Sequence, residues 1–122
     1  METNPDYNKM TLSVFNAMNS RDFSELESYV ADSVSFDFPG AGLIEGVRRV
    51  ILFLKALLRK YPTLQFTVND IIIQGDRSCA IWTNEGASST GEPYENSGIT
   101  LIHFNAGRIV FISDYFKDTS FV

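Results

Sequence analysis

GITLIHFNAGRIVFISDYF, residues 98–116, reads as two β-strands joined by a tight turn. Gly98–Phe104 and Ile109–Phe116 are rich in β-branched and aromatic residues, and Asn105-Ala106-Gly107 between them has the residue types of a hairpin turn. Working back along the chain, Leu64–Gln74 and Ser78–Glu85 have the same character and are divided by Gly75-Asp76; Gly86–Glu95 separates them from the final pair. Ahead of these strands the pattern is mainly helical. Asn4-Pro5 is a helix start, and Tyr7, Met10, Thr11, Val14, Phe15 and Met18 follow helical spacing, which predicts a helix over 5–19. Asp22 with Glu25 resembles a capping box opening a short second helix, with Phe23, Leu26, Tyr29 and Val30 on its buried side. Val34–Phe38 alternates like a strand and stops at Pro39-Gly40, and the loop Gly40-Ala41-Gly42 leads to a third helix from Gly46 to Tyr61, ended by Pro62. Val47, Val50, Ile51, Leu54, Leu58 and Tyr61 form its stripe; Leu52, Phe53 and Leu57 widen it until little of the helix is expected to be exposed. Helices followed by a run of antiparallel strands give an α+β class, with the helices covering one sheet face.

The 122 residues fit a single domain, 1–122, without internal repeats or linkers. The ten phenylalanines supply core or the walls of an apolar pocket. A formal charge of −5 opposes general nucleic-acid binding, which needs a basic field; five of the ten basic residues lie in Arg48–Lys60 and read as a solvated helix flank. One cysteine, Cys79, excludes an internal disulfide and suits a reducing, cytoplasmic setting. No signal-peptide pattern is seen, and the most apolar stretch, Val50–Leu58, carries Lys55 and is too short to span a bilayer, so no membrane partner is expected.

No cofactor loop or metal site is expected. Gly40, Gly42 and Gly46 are spaced one residue off a dinucleotide-binding loop and precede a meander instead of βαβ units. His103, the only histidine, has no Cys or His companion, and no serine sits in a Gly-x-Ser-x-Gly elbow. The acidic residues in strands carry more information. Period-2 alternation places Val110, Ile112, Asp114 and Phe116 on one face, against Phe111, Ser113 and Tyr115 on the other. A carboxylate among Val, Ile and Phe must be hydrogen-bonded, paired or protonated, and desolvation would raise its pKa towards that of a neutral-pH acid or base. Glu85 and Asp37, also at strand ends, are candidates to face the same cavity.

The order helix, helix, strand, Pro-Gly loop, apolar helix and four-stranded meander resembles the nuclear transport factor 2-like superfamily. Within it the chain is similar to the SnoaL-like polyketide cyclases, limonene epoxide hydrolases and ketosteroid isomerases. The resemblance covers essentially the whole chain and is densest in Gly91-Glu92-Pro93-Tyr94-Glu95-Asn96, Gly107-Arg108-Ile109 and Asp114-Tyr115-Phe116-Lys117-Asp118. It implies a cone-shaped, curved antiparallel sheet (an α+β barrel) with about three helices enclosing a pocket, and a homodimer formed through the outer sheet face. Asp114 matches the water-activating aspartate of the epoxide hydrolases, but their Arg-x-Asp partner is not matched by Ile81–Glu85, where Glu85 would have to supply the second carboxylate. The isomerases keep an aspartate immediately before a proline; here Asp37 stands one residue early, with Phe38 before Pro39. Tyr7, the only tyrosine on the first helix, lies early for their oxyanion-holding tyrosine.

These readings lead to a small-molecule enzyme of SnoaL-like type doing proton-transfer chemistry (isomerase, cyclase or hydrolase) on a small apolar substrate, with no cofactor. Asp114 is the acid/base and Glu85 its catalytic companion, Tyr94 and Asn96 are polar helpers, and Phe36, Phe38, Phe53, Leu57 and Phe116 form the substrate-binding wall. The alternative is a non-catalytic ligand-binding or interaction module on the same fold. A homodimer is expected to cover Leu101, Phe111 and Tyr115, with Trp82 joining that face in one of its two registers.

Overall fold

Asp6 begins the first helix by accepting the Lys9 N–H at 3.0 Å, so in this computed structural model, which describes residues 5–120, helix α1 spans Tyr7–Ser20. Asn4, the capping residue expected from sequence, lies outside the described residues, and Pro5 stands ahead of the helix. Arg21 ends α1 in the left-handed region, and its guanidinium donates to the carbonyls of Met18, Leu64 and Pro62 at 2.7–2.8 Å, tying the helix end to a distant turn. Helix α2 covers Ser24–Tyr29. Asp22 accepts from the Ser24 N–H and hydroxyl, so the start is an aspartate turn and not the reciprocal box expected with Glu25.

The strands are β1 (Val30–Phe38), β2 (Gly42–Glu45), β3 (Gln65–Gln74), β4 (Arg77–Ala87), β5 (Pro93–Asn105) and β6 (Arg108–Phe116), with α3 (Val47–Lys60) between β2 and β3. They form one curved, unclosed sheet in the order β2-β1-β6-β5-β4-β3. All pairings are antiparallel except β1 with β6, where Phe36 faces Ile112 in parallel. The curved antiparallel sheet expected from the sequence is present, with this one parallel pair, because the first and last strands become neighbours while running the same way. Strand β2 begins at Gly42, the last residue of the expected loop, and its four residues pair with β1 after a tight turn at Gly40. The divider at 86–95 shrinks to 88–92, since β4 and β5 stay paired from Arg77–His103 out to Ala87–Pro93.

Helix α1 packs on β3 and β4, and α3 on β1 and β2. Thr11 of α1 and Ser78 of β4 share a buried hydroxyl contact of 2.7 Å. Asn19 pairs with both backbone groups of Phe66, at 2.7 and 2.9 Å, and so occupies part of the β3 edge. Helix α3 is one-sided: Val50, Ile51, Leu54 and Leu58 are buried, but Leu52 is 64% exposed, which corrects the expectation of a helix covered all round. On β6 the register shifts between Ile109 and Phe111, so Ile109 takes the fully buried place and Val110 falls at the irregularity, out of the row in which alternation had put it. Beyond it Ile112, Asp114 and Phe116 keep their common face. Trp82 lies inside, fully buried, and takes no part in the outer sheet face.

One close approach holds this packing. Gly98 on β5 pairs with Trp82 on β4 and with Phe116 on β6, and a Cβ there would overlap the Tyr115 carbonyl oxygen and stand 3.0 Å from Trp82 Cζ2. Gly98→Ala should therefore destabilise the domain by about 1–3 kcal/mol, read as a lower midpoint in urea unfolding; an unchanged midpoint would contradict the contact.

Candidate functional site

The sheet's concave face and the two long helices leave a narrow cavity of about 30 Å³, room for little more than ordered water. Its walls are apolar. Phe36 and Phe38 come from β1, Phe116 from β6, Leu54 and Leu57 from α3, and Val14, Phe15 and Met18 from α1. Strand alternation delivers Phe36 and Phe38 to the same side, where their rings meet edge-to-face with centroids 5.8 Å apart. Phe38 and Phe116 meet likewise at 5.3 Å, and Phe116 and Trp82 at 5.2 Å. Phe53, expected in the wall, stands behind it. It packs on Phe38 at 4.9 Å and lines an outer hollow of about 310 Å³ with Pro39, Gly40, Ala41 and Lys60. Phe38, Leu57 and Tyr61 border both spaces and form the partition between them.

Asp114 reaches this cavity through register. It pairs with Thr100 on β5, which pairs with Ala80 on β4, so the row bearing the carboxyl is otherwise small and leaves it room. The Trp82 indole N–H donates to Thr100 Oγ1 at 2.9 Å, and Thr100 Oγ1 donates to Asp114 Oδ1 at 2.6 Å. The directions follow from chemistry. An indole nitrogen can only donate, so the threonine oxygen accepts there and turns its own hydrogen to the carboxyl. Asp114 Oδ1 is thereby an acceptor, and any proton the acid carries belongs on Oδ2. Burial pushes the Asp114 pKa up to about 7; the Thr100 bond works against this, and the nearby Asp37 charge adds to it.

The remaining candidates are placed differently. Asp37 lies opposite in parity to Phe36 and Phe38 and is exposed. Glu85 is exposed as well, in a groove on the other side of the sheet with Gln65 and Glu95, so it does not share the cavity with Asp114; its neighbour Asn84 faces in instead. The strand extends regularly through both, and the expected pairing of Glu85 with Asp114 was out by one residue. Tyr94 lines the cavity mouth, its ring 4.6 Å from that of Tyr61, and burial raises its pKa. Asn96 braces the chain end: its Nδ2 donates to the Asp118 carbonyl at 2.8 Å and to Tyr94 Oη at 3.1 Å, and its Oδ1 accepts from the Asp118 N–H at 3.2 Å.

Sequence reasoning missed Thr100, Trp82, Asn84 and Tyr61. Alternation outward from Trp82 would have found Asn84, but the cross-strand partner of Asp114 is knowable only once β5 and β6 are in register. Among the described residues no three of His, Cys, Asp and Glu gather as metal ligands. His103 packs on Phe111, centroids 5.1 Å apart, away from the cavity. No described helix is long and apolar enough to cross a membrane.

Solved structures share this architecture. A SnoaL-like protein from Jannaschia sp. CCS1, assigned as a polyketide cyclase, superposes with a TM-score of 0.85 at 15% identity, covering 96% of this chain and 91% of that one. Wild-type IdmH of Streptomyces antibioticus, also assigned as a polyketide cyclase, gives 0.80 at 19% identity with 92% of each chain covered. TerC, co-crystallised with polyporic acid, gives 0.82 at 19% identity with 93% of each chain covered. No curated protein matches. The family model of the SnoaL-like domain matches residues 12–112, from the first helix to Ile112 in the last strand, two residues short of Asp114. With that span and the nuclear transport factor 2-like architecture together, the chain belongs to the SnoaL-like domain family.

Proposed function

We propose that this protein is a small-molecule enzyme that moves a proton on an apolar, carbonyl-bearing substrate, with Asp114 as its acid/base. The observation that carries this reading is a carboxyl set in an apolar cavity with one oxygen bonded to Thr100 and a pKa near 7. An acid poised at the working pH takes and returns a proton with little penalty either way. The polyketide-cyclase assignments of the Jannaschia and Streptomyces proteins support the same chemistry. Substrate entry requires Leu57 and Tyr61 to move, since the partition they form with Phe38 divides the narrow cavity from the larger outer hollow.

A second reading, a binding module without chemistry, is favoured by one observation: with Glu85 outside, Asp114 is the single carboxylate in the cavity lining among the described residues. The two readings separate on α-proton exchange of a simple probe ketone, 2-tetralone, followed by NMR in deuterated buffer. The enzyme reading expects exchange that rises with pH through about 7 and falls at least about 100-fold in Asp114→Asn. Wild-type exchange at the buffer rate, with the ketone bound, would leave binding alone.

Stability carries the same signature. The folded pKa of Asp114 lies above its unfolded value near 4, so protonation favours the folded state. The wild type should lose stability between pH 4 and 7 from this group and level off above. Asp114→Asn keeps an acceptor for Thr100 and should fold, without that contribution. Carbon-detected NMR giving Asp114 an ordinary carboxylate pKa would remove the basis of the proposal. Thr100→Val should raise the Asp114 pKa further, because the lost bond favoured the ionised form, and should cost about 1–3 kcal/mol by stranding the Trp82 N–H.

The outer sheet face supports the homodimer proposal. Ile81, Ile99 and Tyr115 lie side by side in register across β4, β5 and β6 and are 36%, 38% and 54% exposed, with half-buried Leu101 and Phe111 in the rows beyond. Cys79 lies in the same field, its thiol pKa raised by burial. Sedimentation at micromolar concentration should give the mass of two chains, and Ile99→Lys should shift it to one; a single-chain mass for the wild type would refute the dimer.

A further inference from the structure

We infer that Asn84 is a second polar anchor of the cavity, one that takes a hydrogen-bond donor from the ligand, so that the substrate has a carbonyl towards one end and a hydroxyl or N–H towards the other. This rests on reading the Asp114 cavity as a ligand site. It adds which groups the ligand carries and how they are spaced.

Asn84 is 6% exposed, and its Oδ1 finds no hydrogen-bond partner among the described residues. A buried acceptor left bare is costly, and most folded proteins leave very few. The neighbours Thr83 and Glu85 point to the exposed side, while Asn84 shares the inward row of Ala80 and Trp82 and lines the cavity. A carboxamide oxygen is an acceptor at every ordinary pH and cannot remove its own cost by taking a proton, as Asp114 can. What it lacks is an O–H or N–H, and the space before it is where a ligand would lie.

Register fixes the spacing. The Asp114 row crosses β4 at Ala80, and Asn84 is four residues further along that strand, about 13 Å of rise, with Asp114 itself two strands across, about 10 Å away in the other direction. Between the two rows stands that of Trp82 and Phe116, and Phe66, level with Asn84, packs on it, with Phe66 and Phe116 each 5.2 Å from Trp82. Asp114 Oδ1 is committed to Thr100, which leaves Oδ2 for the ligand. The complement is therefore an elongated apolar body larger than the closed cavity of about 30 Å³, admitted as Leu57 and Tyr61 move aside: an acceptor for the acid at one end, contact with aromatic rings along its length, and a donor for Asn84 at the other.

The test uses a matched pair, 6-acetyl-2-naphthol and its methyl ether, which differ in the donor alone. By calorimetry the naphthol should bind the wild type about tenfold more tightly or better, and Asn84→Leu should erase the difference. The melting temperature of Asn84→Leu should equal or exceed that of the wild type, because the variant removes an unsatisfied buried group. Equal affinities in the wild type, discrimination that survives in Asn84→Leu, no binding of either compound, or a variant that melts several degrees lower would each overturn the anchor. Discrimination through Asn84 without any proton exchange in the wild type would uphold the anchor while ending the enzyme reading, so the two failures are told apart.

Discussion

A carboxyl group half-buried among phenylalanine and leucine cannot be left to itself, and the way Asp114 is accommodated organises much of the sheet around it. Water is replaced on one oxygen by the Thr100 hydroxyl, and that hydroxyl is in turn oriented by the Trp82 indole. The three residues come from three adjacent strands, β4, β5 and β6, so the chain of bonds exists only when all three pairings are in register. A slip of one residue in any of them would exchange inner and outer faces. Gly98 belongs to the same constraint, because Trp82 reaches Thr100 across the place where a side chain on residue 98 would stand. The hydrogen-bond chain to Asp114 and the strand order are in this sense one property.

Alternation read from Ile112 to Phe116 was sufficient to bring Asp114 inside, since the pattern there is unambiguous and no irregularity intervenes. Two residues earlier the same rule misplaced Val110, because a register shift in a strand leaves no mark on its hydrophobic pattern. Strand β4 was harder still. Its inward row, Ala80, Trp82 and Asn84, and its outward row, Cys79, Ile81 and Thr83, are each a mixture of apolar and polar residues. Composition alone could not decide between them. That is why Glu85 stood in the place that Asn84 occupies and Trp82 was assigned to either side. Leu52 shows the opposite failure: an apolar residue read as covered is open to water, as single surface leucines often are.

The SnoaL-like scaffold supplies a cavity and leaves its contents to a few side chains. In this chain the lining is aromatic and aliphatic apart from a small polar set, and that set is divided between the carboxyl end and the mouth. The Tyr61–Tyr94 pair at the mouth joins α3 to β5, so the helix that partitions the cavity from the outer hollow is also tied to its rim.

The parallel pairing of β1 with β6 has a consequence for how the protein comes into being. Phe36 finds Ile112 only after nearly all the chain between them has been made and drawn together. Contacts so distant in sequence slow folding, because the entropy of closing the loop is lost before the contact repays it. On the ribosome, at about 5–20 residues per second, β1 and α3 emerge seconds before the strand that will cover them. During that interval Phe36, Phe38 and Phe53 have each other but not Phe116. The wall of the future cavity is then a bare aromatic surface, and the Asp114 carboxyl arrives only with the strand that joins the two ends of the sheet.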